Sequence, residues 1–144
     1  MNKNLIILVL MLSAIGAGIY FAVLQDKNRD DILLVEQAIN NFSQAVSPLE
    51  KQFLNNRKFQ LANTKTNLPL NKTGQSIEVT TVVGVDRVTL RFSDGDTEVA
   101  NKTIVLVPFI ENSQVRWQCI EGSIILRLRP RDCQLGKKIL LSSD

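Results

Sequence analysis

The chain has 144 residues, a net charge of +3 and no histidine. That length suits one modest domain, the charge is too sparse for a dedicated nucleic-acid domain, and the missing imidazole removes the commonest general base and metal ligand. The two cysteines, once joined, leave neither a thiolate nor a zinc cluster, so no catalytic, cofactor or metal site is expected.

Leu5 to Leu24 is an uncharged run of 20 residues, which as a helix spans roughly 30 Å and matches a bilayer core. A secretory signal peptide would carry a shorter apolar region and a small-residue cleavage site. Tyr20 to Leu24 offers no convincing site, so the run reads as an uncleaved anchor. Lys3 precedes it and Lys27 and Arg29 follow, so the positive-inside count does not orient it. Two cysteines placed to close a loop imply an oxidising compartment. The expected arrangement is a short cytoplasmic N-terminus, an anchor within residues 1–24 and an extracytoplasmic globular domain over 25–144.

Beyond a charged patch, Gln25 to Asp31, apolar residues recur at helical spacing: Val35, Ala38, Ile39, Phe42, Ala45, Val46, Leu49 and Phe53. With polar residues on the other face, this predicts an amphipathic helix burying one stripe. Pro48 cannot continue the hydrogen-bond ladder. A kink is expected there, with Ser47 and Glu50 forming a capping box and the final helix running to about Lys58.

Residues 60–75 are rich in Asn, Thr, Lys and Gly and read as a loop. Four strands are expected next: Ile77–Val83, Val85–Phe92, Thr103–Val107 ended by Pro108, and Gln114–Ile120. Asp94-Gly95-Asp96 is a turn signal. The fold class is thus α+β, with a helix on one face of a four-stranded antiparallel sheet. Trp117 is expected in the core because of the apolar area it brings.

Cys119 and Cys133 bracket the C-terminal loop, and a bridge between them would remove loop-closure freedom worth on the order of 3 kcal/mol. The loop carries Arg127, Arg129 and Arg131 against Glu121 and Asp132. The arginines are either a solvated edge or a contact surface for a partner protein. Contact with DNA phosphates is the weaker reading, because three arginines among acids neutralise little charge.

With Val115-Arg-Trp117-Gln-Cys119 followed by Pro130-Arg-Asp-Cys133, and the preceding Asn101-Lys-Thr-Ile-Val-Leu-Val-Pro108, the layout resembles the type IV pilins, and the likeness runs through most of the chain. The likeness implies a long N-terminal helix, half of it in the membrane, packed on a four-stranded sheet, and a C-terminal loop closed by a disulfide. Pilin precursors join a basic leader to a cleavage glycine and an apolar helix with glutamate at its fifth position. Laid on that pattern, Lys3 matches the basic residue and Gly18 a helix glycine. Asn4 stands in place of the cleavage glycine, Val9 in place of the glutamate, and Asp26 where a helix proline lies. The departures remove the residue before the peptidase cut and the partner for a neighbouring subunit's new amino terminus.

Such a chain is expected to assemble poorly as a bulk subunit. It looks like the pilin-like accessory proteins that support type IV pilus assembly and twitching motility from the inner membrane. The resemblance implies the major pilin and the assembly proteins as partners. Ser13, Ala14, Gly16, Ala17, Gly18 and Ala22 form a small-residue stripe for helix contact in lipid. A minor pilin built into the fibre is the alternative, and a DNA-capturing competence pilin a lesser one.

Overall fold

The computed structural model describes residues 20, 23, 25, 28–70 and 75–134, and the backbone of 138–139. Residues 28–44 form the described part of the first helix, α1. Its stripe of Leu34, Val35, Ala38, Ile39 and Phe42 is buried, as the helical spacing requires. The ladder breaks at Ala45 and Val46 and restarts as α2, Ser47–Asn56, with proline in its first turn. Val46 is buried, Ala45 is exposed, and Leu49 and Phe53 are half-buried.

Two local expectations are corrected here. Val46, not Ser47, occupies the N-cap position, and no side-chain capping bond forms. The Glu50 carboxylate instead accepts the Trp117 indole N–H at 3.0 Å. The helix also stops short of Lys58. Arg57 takes the left-handed conformation, φ 57°, and donates its N–H to the Phe53 carbonyl, a single-residue stop that closes the last turn.

Among the described residues, five long strands and one short one make a single antiparallel sheet in chain order. They are β1 (Ala62–Pro69), β2 (Ser76–Val83), β3 (Val88–Phe92), β4 (Thr103–Glu111), β5 (Gln114–Glu121) and β6 (Lys138–Ile139). The expected count of four is corrected by β1 and β6. The stretch read as a loop holds β1, which pairs along its whole length with β2, from Ala62 opposite Val83 to Pro69 opposite Ser76. Only Leu68 of β1 is buried. An edge strand that buries one side chain gives no apolar alternation, so its threonines carry the only strand signal.

Pro108 does not end β4. It lies inside the strand, opposite Trp117. β3 reaches no further along β4 than Leu106, opposite its first residue Val88, so Pro108 sits where β4 has one strand partner only, a setting in which sheets tolerate proline. Asn112 and Ser113 then turn the chain with φ of 50° and 64°, the positive pair a two-residue hairpin needs. The expected second strand starts later, at Val88, because Gly84 to Arg87 form a turn closed by the Gly84 N–H on the Arg87 carbonyl.

One core lies between helices and sheet. Leu34, Val35, Ile39, Phe42 and Val46 meet Val79, Leu90, Phe92, Ile104, Leu106 and Trp117. Trp117 is fully buried, as expected from its size. Phe42 meets it edge-on at 5.2 Å and Phe59 stacks on it at 5.8 Å. Asp31, a buried carboxylate, accepts the Glu98 N–H at 3.3 Å, tying α1 to the β3–β4 connection.

Candidate functional site: the cystine loop

The loop is built from the end of β5. Val105 pairs with Glu121 but Leu106 with Cys119, so Ile120 is one residue too many for the ladder. Such a bulge bends a strand and ends its pairing. Gly122 follows with φ 125°, its Cα so close to β4 that an added Cβ would stand 2.3 Å from the Thr103 carbonyl oxygen. Ser123 then fastens the turn to β4, its hydroxyl accepting the Thr103 N–H at 2.9 Å, and the Ile124 N–H donates to the Thr103 carbonyl at 3.1 Å.

Ile124 and Leu128 point inward and are buried. Between them Leu126–Leu128 make one 3₁₀ turn. Arg131–Gln134 form a single helical turn, α3, that buries Cys133. Cys119 and Cys133 are joined as a disulfide, with Cα atoms 5.0 Å apart. The bridge was expected, and the structure forms it.

The three arginines separate into different roles. Arg129 is half-buried and turned back on the loop: its Nε donates to the Ile124 carbonyl at 2.8 Å and its Nη2 to the Gly122 carbonyl at 3.0 Å. Gln134 in turn donates to the Arg129 carbonyl at 2.6 Å. Arg127 pairs with Glu98 of the β3–β4 connection. Arg131 is exposed on α3. Of the three candidate contact arginines, Arg129 is thus turned onto the loop's own carbonyls, while Arg127 and Arg131 stand exposed.

The outward surface is mixed instead. Ile125 and Leu126 are 41% and 61% exposed beside Arg127 and Arg131. Sequence reasoning missed both. The signal was the run Ile124-Ile-Leu126, which is longer than one buried position can use. At the loop's entry Glu121 meets Arg87 at 3.7 Å, and Arg87 also holds Asp86 at 3.0 Å. The Arg87 hydrogen bond keeps the Asp86 carboxyl below the ordinary carboxylate range, and Asp86 raises the guanidinium in return.

Ser13, Ala14, Gly16, Ala17, Gly18, Ala22, Asn4 and Val9 lie outside the described residues. Among the described residues no helix is long and apolar enough to cross a membrane. The run Leu5 to Leu24 falls almost wholly outside them. Among the described residues, no cluster of acidic or cysteine side chains could hold a metal ion.

A helix laid on an antiparallel sheet, with a C-terminal loop pinned back by a disulfide, defines a small α+β domain. The family model described as Pilin (bacterial filament) matches residues 35–134. The chain belongs to the pilin family. Comparisons with curated proteins and with solved structures returned no match.

Proposed function

We propose that this chain is a membrane-anchored pilin-like accessory protein that supports type IV pilus assembly and twitching motility. It acts by contact with pilin or with the assembly machinery. The observation that carries the reading is the pairing of a pilin domain over residues 35–134 with Asn4 and Val9 at the two positions where a bulk subunit needs glycine and glutamate. Residues 1–24 are the anchor and 25–144 the periplasmic domain. The small-residue stripe from Ser13 to Ala22 packs with pilin helices in the inner membrane, where close backbone approach drives association. In the periplasm, Ile125, Leu126 and Arg131 supply the loop's contact surface, with Arg127 and Arg129 shaping it. The family is one of filament proteins, which supports a structural rather than enzymatic role.

Intact mass and distribution between sheared pili and inner membranes test this. Full-length protein confined to membranes is the expected result. Recovery from sheared pili with a trimmed, methylated N-terminus would establish the alternative, a minor pilin.

A further inference from the structure

β1 stands at the far edge of the sheet from the cystine loop. Among the described residues it pairs with β2 alone. Alternate residues of an antiparallel edge strand turn N–H and C=O outward, so Ala62–Pro69 offers a row of main-chain groups with no partner strand, a template for pairing.

The register fixes which side chains share each face. Thr64 lies opposite Thr81, Thr66 opposite Val79 and Leu68 opposite Ile77, so these point toward the helices. Asn63, Lys65 and Asn67 point to the other face. On the helix side a groove of about 240 Å³ runs beside β1, with Ala38, Phe42 and Leu49 on one wall and Thr64, Val79 and Val83 on the other. Of the groove-facing residues of β1, Thr64 and Thr66 are small and exposed while Leu68 is buried, so at the threonines the groove opens along the same margin as the unpaired main chain. An added strand needs both features: hydrogen-bonding groups along an edge, and a pocket for every second side chain.

Charge selects the occupant. Lys65 is the one charged residue of β1, and its side chain is 67% exposed while pairing with Glu78 at 3.0 Å. A second copy of β1 would bring another lysine, no carboxylate, and mainly alanine and threonine toward the groove. Like charges across a strand pair repel and opposite charges attract.

We propose that β1 and its groove form a receptor for an extended strand of a partner protein. That strand joins the sheet next to β1, places alternate aliphatic side chains in the groove, and sets a carboxylate beside Lys65. The inference stands independently of the accessory role proposed above.

The test uses the full chain in detergent micelles and a short end-capped peptide alternating valine with threonine, with one central glutamate on the threonine face. Peptide binding is expected to slow hydrogen exchange at alternate amides of β1 and to shift the methyl signals of Val79 and Val83. Lys65→Glu in the protein, or lysine for glutamate in the peptide, should each weaken binding about 2- to 5-fold. The two reversals together should restore it. Thr64→Trp, which fills the groove from its exposed rim, should abolish protection while the fold persists. No β1 protection at millimolar peptide, or an affinity indifferent to both reversals, overturns the proposal. Concentration-dependent protection of β1 in the protein alone would also overturn it, in favour of self-pairing.

Discussion

The indole of Trp117 sits between Phe42 and Phe59, and its N–H donates to the Glu50 carboxylate. A buried indole N–H without an acceptor costs about 1–3 kcal/mol. Glu50→Ala should therefore destabilise the domain by that amount, and Glu50→Gln, which keeps an acceptor, by much less. Urea unfolding followed through this single tryptophan measures both. Gly122 has a positive φ and almost touches the β4 backbone. Gly122→Ala should cost about 2–3 kcal/mol, read as a lower denaturation midpoint. At Asp86 the sign runs the other way from a buried acid. Its carboxyl titrates low because Arg87 bonds the charged form. The pair's stabilisation is thus present above the unfolded-chain pKa and lost as pH falls through the lowered folded value. An NMR titration should place Asp86 below an aspartate in an unstructured peptide, and Arg87→Ala should raise it. The pair is solvent-exposed, so the effect on global stability is small.

At the scale of elements, the cystine loop is held by several different devices. The bulge at Ile120 bends the end of β5, Gly122 and Ser123 fasten the turn to Thr103, Arg129 binds the loop's carbonyls, and the disulfide closes the loop. Reduction removes only the last. A 14-residue separation gives a loop-closure contribution of about 3 kcal/mol. Cys119→Ser should lower stability by about that amount while the sheet persists. Equal melting temperatures for oxidised and reduced protein would sink the claim. The Arg127–Glu98 tie is an exposed pair worth at most about 1 kcal/mol, so Arg127→Ala should leave the fold unchanged and shift the urea midpoint little.

For the whole molecule, net charge and its placement give the DNA-capturing reading little support. The chain carries +3 overall, Arg129 is committed to loop carbonyls and Arg127 to Glu98. Of the cystine loop's three arginines that leaves Arg131, so the loop would release few counterions from a phosphate backbone. A gel shift at low salt should show no retardation. A clear shift would revive the DNA-capturing reading. Among the described residues, the apolar-basic tip of the loop and the open edge of β1 lie on different parts of the sheet, so the two proposed contacts would not compete for one surface.

The helical stripe from Val35 to Phe42, the burial of Trp117, and the strands over Ile77–Val83 and Gln114–Ile120 were legible in the sequence. Each depends on a periodicity of apolar residues facing one core, and periodicity is local. The cysteines were legible because they are the only two. Other features depend on neighbours distant in the chain. β1 is a strand because β2 offers a ladder, not because its own residues alternate. Pro108 is tolerated because β3 reaches along β4 only as far as Leu106. Glu50 caps an indole 67 residues away rather than its own helix. Arg129 was read as a surface cation because charge is a property of one residue. The buried carbonyls that claim it exist only once the loop has closed. The sequence by itself determined which faces would be apolar and which loop would be cross-linked. Only the tertiary structure decided which polar groups are consumed internally and which remain for a partner, because hydrogen bonds are allotted by proximity in space.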